Sequence, residues 1–290
     1  MKRSLLFSFI IALNLSLFSQ QFVLSDNLSE SVFCFNPAVA GIDNKISLTE
    51  FSKINNYPFF FGDSFVQYLG FDMPINSQSS GVGFNTYYAT IGSAYRFYAF
   101  NLAYSYHFSF EKLKLSFGLS PGMIYKTIDL SNINYNDIVM LSDDPKTYYN
   151  IKTGLHLDYL GFFIDFTYTP VNGPASHYAD NGHRRFYHDF NSYFGYDINI
   201  KDKQLFLTPS VKASAIDGYF SYVQFGLIFS SKNKFSIGLL NKGELSIYPV
   251  FNVNLFNKLI LGASYEYIIE KNHFYKNTLE VFLKYSFNKI

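Results

Sequence analysis

The residues best equipped for chemistry are few and scattered. Six histidines, His107, His156, His177, His183, His188 and His273, share the chain with a single cysteine, Cys34. No histidines recur at helical metal-ligand spacing and no second cysteine joins them, so a zinc site has no spacing behind it and no metal is expected. His107 stands between Ser105 and Ser109; on an extended chain all three share one face. That is the beginning of what an outer-membrane hydrolase would need, a serine, a histidine and a polar orienter. Any polar-faced strand offers such neighbours, and no nucleophile is marked by context, so no catalytic residue and no cofactor is assigned, and the chain is read as a non-enzyme. His183 and His188 straddle Arg184-Arg185, a cationic patch suited to a solvated rim or to contact with a partner or lipid headgroup. Asp143-Asp144 precede Pro145 and lack the spaced oxygens of a calcium loop. Asp143, Asp144, His183, Arg184 and Arg185 are therefore taken as candidate partner-contact residues on loops.

The elements that must carry these groups are strands. From Phe100 to Phe110 the chain alternates without a fault, with Phe100, Leu102, Tyr104, Tyr106, Phe108 and Phe110 on one parity and Asn101, Ala103, Ser105, His107 and Ser109 on the other. About eleven residues at roughly 3.3 Å each suit a tilted crossing of a bilayer. After the turn Glu111-Lys112, Leu113, Leu115, Phe117 and Leu119 oppose Lys114, Ser116, Gly118 and Ser120. The pattern predicts an all-β fold, a transmembrane antiparallel β-barrel whose apolar face meets lipid and whose polar face lines or fills the lumen.

Composition agrees. Aromatic residues make up 20% of the 290 positions without one tryptophan, and charged residues only 16%. A soluble domain usually carries about a quarter charged residues. A net charge of +1 gives no reason to expect nucleic acid. Lys2 and Arg3, the apolar core from Leu5 to Phe18 and the small and polar residues after it read as a signal peptide over 1–19. Residues 20–45 are irregular and are expected to pack in the lumen or the periplasm, with the barrel over 46–290. Cys34 is expected to be a small buried side chain.

Alternation places about fourteen strands, near 46–52, 64–73, 81–89, 95–110, 113–127, 148–158, 161–169, 184–200, 204–215, 219–230, 234–241, 245–256, 259–269 and 278–288. An even number returns both ends to one side. Connections after odd-numbered strands, including 53–63, 128–147, 170–183 and 270–277, are the longest and should be external. Pro121, Pro209 and Pro249 interrupt the pattern and suggest bulges or strand ends. Asp158, Asp165, Glu266, Glu280, Lys114, Lys152 and Lys284 fall on the lumen side with both signs mixed, which fits a cross-linked, plugged interior better than a charge-selective pore.

Phe35-Asn36-Pro37-Ala38-Val39-Ala40-Gly41 resembles the early signature of the PorP/SprF family of type IX secretion outer-membrane proteins, with Val39 where an aromatic is usual. Asn36, Pro37, Ala38 and Gly41 would be its structural residues. Gln67 to Pro74, Ser80 to Phe84, Ala103 to Phe108 and Leu119 to Leu130 resemble later family segments in order, and Leu261 to Tyr267 and Leu283 to Phe287 resemble the closing strands. Leu279-Glu280 stands where a His-Glu pair is frequent. The resemblance implies a barrel that exports or anchors a large secreted surface protein, such as an adhesin, or docks periplasmic type IX components. An uptake barrel for a small or hydrophobic solute is the alternative.

Overall fold

The computed structural model describes Ser25 and residues 27–55, 64–75, 79–91, 95–128, 145–174, 184–201, 204–216, 219–231, 234–242, 246–269 and 277–287. Its strands are β1 (Ile46–Asn55), β2 (Ser64–Ile75), β3 (Ser80–Ile91), β4 (Tyr95–Ser109), β5 (Leu113–Ile128), β6 (Lys146–Tyr159), β7 (Phe162–Pro174) and β8 (Arg184–Tyr196). They continue with β9 (Ile198–Lys201), β10 (Leu205–Ile216), β11 (Tyr219–Ser231), β12 (Phe235–Lys242), β13 (Ser246–Leu255), β14 (Leu259–Ile268) and β15 (Thr278–Phe287). Each pairs antiparallel with its neighbours, β1 with β15 and β10 with β11, so the sheet closes on itself. β8 and β9 lie end to end along β10 on either side of Asp197, which makes fourteen staves. Closure pairs every full-length stave on both sides among the described residues, the condition for a sheet to cross a bilayer, and leaves only the four-residue β9 paired on one side.

The alternating faces fall as their chemistry requires. On β4, Leu102 is 62% exposed while Ser105 on the opposite parity is fully buried. The outward face of the barrel is apolar and the inward face polar, the reverse of a soluble domain and the arrangement of a membrane barrel. The connections 76–79, 110–112, 160–161, 202–204, 232–234 and 256–258 are all short, and the long ones lie at the other end. Two of the short turns, Leu160-Gly161 and Phe256-Asn257, hold both residues at positive φ, the left-handed form that tight hairpins favour.

The prolines do not make bulges. Pro121, Pro209 and Pro249 sit inside β5, β10 and β13. The β4–β5 ladder lapses between Asn101↔Gly122 and Tyr104↔Leu119, and the β13–β14 ladder between Ile247↔Tyr267 and Val250↔Ser264, with the register kept. Pro209 lies where β10 passes from β9 to β8. A missing N–H costs only the bonds on one side, and the other neighbour still pairs: Pro121 with Ile151, Pro209 with Leu227 and Pro249 with Leu239. The one bulge between β10 and β11 falls at Ser214/Ala215 instead.

The segment before β1 is folded inside the barrel. It forms the helical turn α1 (Leu28–Ser31) and two 3₁₀ turns, Val32–Cys34 and Pro37–Val39. Cys34 and Phe35 join Phe51, Val66, Tyr68, Tyr193 and Phe282 in an apolar cluster within the lumen. Phe51 and Tyr68 stack there with ring centroids 4.9 Å apart.

Candidate functional site: the plugged lumen

The turn at Asn36 shows how the plug is held. Asn36 is fully buried and caps the 3₁₀ turn, its Oδ1 accepting from the Ala38 N–H at 3.0 Å. Proline suits the next position, where its missing N–H is not needed and its φ is already helical. The Asn36 Nδ2 donates to the Leu155 carbonyl at 3.0 Å on β6 and to the Asp165 carboxylate at 2.6 Å on β7. Asp165 is also 3.0 Å from His156 Nδ1. One side chain thus closes the turn and fastens it to two strands.

The wall is shaped to receive this turn. Gly118 on β5 and Gly154 on β6 are cross-strand partners. A Cβ on Gly118 would collide with the backbone of Pro37 and Ala38, and one on Gly154 with the Asn36 side chain. The two glycines form a dent that seats the turn. Gly41 follows with φ +67°, and a Cβ there would stand 2.6 Å from the Met73 carbonyl. Its N–H donates to Asp72 Oδ2 at 2.8 Å.

Ser105 and His107 do meet, with Oγ and Nε2 3.2 Å apart, yet their bonds run to the plug. Ser105 Oγ donates to the Ala40 carbonyl at 2.7 Å, and His107 Nε2 lies 3.0 Å from the same oxygen. A carbonyl only accepts, so Nε2 carries the proton and Nδ1 accepts from Ser116 Oγ at 2.8 Å. In that tautomer His107 cannot take a proton from Ser105. The pair is a clamp on the plug.

Further contacts surround the segment. Ser25 Oγ donates to Glu280 Oε1 at 2.6 Å, and Lys212 Nζ reaches the Ser25 carbonyl at 3.4 Å. The amides of Asn27 and Asn252 bond to each other, and Asn252 Nδ2 also donates to Ser236 Oγ at 2.9 Å. Asp43 meets Lys284 at 3.3 Å, and that ammonium holds the Asp43 carboxyl below its usual range. Burial pushes the Cys34 thiol up to about 11. The mixed charges expected in the lumen thus divide: Asp165, Glu280 and Lys284 anchor the plug, whereas Lys114 is exposed. Ser25, Asn27, Asp43, Asp72 and Asn252 were not singled out by sequence, because nothing local marks a residue whose partner is far along the chain.

Asp143, Asp144 and His183, like the 1–19 segment, lie outside the described residues. Arg184 and Arg185 begin β8, paired with Pro174 and Gly173 at the long-loop end. His188 stacks on Tyr168, its Nδ1 2.7 Å from the phenol oxygen.

A closed fourteen-stave barrel with an apolar outer face and a polar, filled interior defines an outer-membrane β-barrel protein. The chain belongs to the PorP/SprF family: the model of the type IX secretion system membrane protein PorP/SprF matches residues 17–285. No curated protein sequence matches it significantly. Among solved structures it is similar to the Ralstonia pickettii toluene transporter TbuX, at 11% identity and TM-score 0.52, over 87% of this chain and 92% of that one. The Acinetobacter baumannii outer membrane protein Omp33 is similar at 9% identity and TM-score 0.50, over 85% and 100%. The Pseudomonas putida toluene transporter TodX is similar at 8% identity and TM-score 0.50, over 91% and 94%. At such identities the likeness is one of fold.

Proposed function

We propose that this chain is a non-enzymatic partner barrel of type IX secretion, exported with cleavage of a signal peptide over residues 1–19. It would export or anchor a large secreted surface protein, or dock periplasmic components of the machinery. The observation that carries this reading is the plug. A lumen crossed by the Asn36–Gly41 turn and tied by Asp165, Glu280 and Lys284 is poorly suited to a standing solute pore, which leaves the two ends of the barrel as working surfaces. Family membership supports the same system. On this reading Asn36, Pro37, Ala38 and Gly41 are structural, and the long loops carrying Asp143, Asp144, His183, Arg184 and Arg185 make partner contacts.

Uptake of a small hydrophobic solute is the second reading, motivated by the apolar cluster around Phe51, Tyr68 and Phe282 and by fold likeness to toluene transporters. Mass spectrometry of what copurifies with a tagged copy, extracted gently from the outer membrane, separates the two. A large secreted protein or type IX components in fixed ratio is the expected result. The barrel alone with a bound small molecule would overturn the partner reading in favour of uptake.

A further inference from the structure

The outer wall carries an amphipathic groove that the secretion reading does not use. It opens between β4, β5 and β6 with a volume of about 620 Å³. Phe100 and Met123 form its floor, Tyr98, Tyr125 and Thr147 its waist, and Arg96 and Thr127 its lip. Phe100, Tyr98, Met123 and Tyr125 are exposed on the outward parity, so whatever occupies the groove comes from the membrane.

Cross-strand register orders its rows from floor to lip. Tyr88, Tyr98 and Tyr125 stand side by side on β3, β4 and β5, with ring centroids 4.9 and 6.3 Å apart. Phe65 on β2, paired with Thr90 one row up, reaches over to Tyr88 with ring centroids 6.3 Å apart. A belt of aromatics on a barrel marks the boundary between hydrocarbon and headgroups. From Tyr98 to Phe108, about ten residues at 3.3 Å each and a tilt near 40° span roughly 25 Å, the height of the lipid-facing band. The row below, Thr86, Phe100 and Met123, lies at the top of the hydrocarbon. The row above is Thr90, Arg96 and Thr127, one step of about 5 Å higher, where lipid phosphates lie.

We infer that this groove binds a phosphate-bearing lipid of the leaflet at the long-loop end, the phosphorylated glycolipid of an outer membrane. The Arg96 guanidinium grips the phosphate, and the first acyl carbons pack over Tyr98, Phe100 and Met123. A guanidinium presents a planar fork that matches phosphate oxygens; Thr127 adds a hydroxyl donor in the same row, and Thr147 another one row below, beside Tyr125. The charge is at the lip and the apolar floor below it, the polarity a lipid presents in this leaflet.

The test is native mass spectrometry of the detergent-folded barrel mixed with diphosphoryl lipid A or with the same lipid stripped of phosphate. Wild-type barrel should retain the diphosphoryl lipid, and Arg96→Ala should retain it about tenfold less, the loss of one charge-assisted contact. The phosphate-free lipid should bind both proteins weakly and equally. Arg96→Lys, which keeps the charge but not the fork, should fall between. Equal retention of diphosphoryl lipid by wild type and Arg96→Ala, both heat-modifiable on gels, would overturn the inference, as would equal retention of the two lipids by wild type.

Discussion

Asn36→Ala is the substitution that asks most of the plug. The side chain makes three buried contacts, a cap to Ala38, a bond to the Leu155 carbonyl and a bond to the Asp165 carboxylate. The cap is worth about 1 kcal/mol and the neutral bond about 1 kcal/mol. The bond to the carboxylate is worth about 1.5 kcal/mol, at the low end for a charged acceptor, because Asp165 keeps His156 at 3.0 Å. The two bonds to the wall make roughly 2.5 kcal/mol of docking energy, a fifty- to hundredfold change in the population with the turn released, and the cap orders the turn itself. The barrel itself is held by its ladders and should still fold. Cys34 reports on the release, since it is the chain's single cysteine and is buried beside the turn. In the folded wild type at about pH 8 it should react with a maleimide far more slowly than in the urea-unfolded chain, because burial withholds both access and the thiolate. In Asn36→Ala the rate should rise in proportion to the released population. A rate unchanged from wild type, in a variant that still migrates as a folded barrel, would refute the account of this turn.

Other expectations follow from the same geometry. Gly118→Val should release the turn by collision and raise Cys34 reactivity as Asn36→Ala does, while Gly238→Ala, whose Cβ would meet Ile228 in a separate apolar cluster with Leu240, Tyr248 and Val250, should leave Cys34 slow. Leu102→Arg places a charge on the lipid face and should cost about 2 to 4 kcal/mol of barrel stability by denaturant titration in lipid. The polar-side control must be small, Asn101→Ser, because Asn101 is buried against Asn85 and an arginine there would overfill the lumen. The carboxyl of Asp43 is depressed by Lys284, so its contribution is fully present above the ordinary carboxylate range and is lost as pH falls from that range through the lower value it has in the folded protein. Cys34 alkylation corrected for thiolate fraction should therefore quicken modestly below about pH 4 in wild type and show no such step in Lys284→Met. The effect is modest because the Asp43 side chain is 60% exposed.

The strands were legible because each one repeats a two-residue rule, and Leu102 and Ser105 carry opposite environments on the two parities of β4 for that reason alone. The even count and the alternation of long and short connections followed. What the sequence withheld is where the lead-in sits. Gly118 and Gly154 read as ordinary polar-face positions until the register sets them opposite each other as a dent. Ser105 and His107 read as the start of a catalytic group, because a sequence shows which polar groups share a face but not that a carbonyl of Ala40 occupies both. The prolines misled for a related reason: a strand can lose ladder bonds on one side and keep its register on the other.

Hydrogen–deuterium exchange of the segment from Asn27 to Asp43, followed by mass spectrometry on the folded wild-type barrel, tests the plug most directly. If the Asn36 turn is seated on Gly118 and Gly154, the amides of Ala38, Ala40 and Gly41 should exchange nearly as slowly as those of β4 and β5. Complete exchange of that segment at the unfolded rate, with the strands still protected, would contradict a plug seated on the inner wall by the chain's own N-terminal segment.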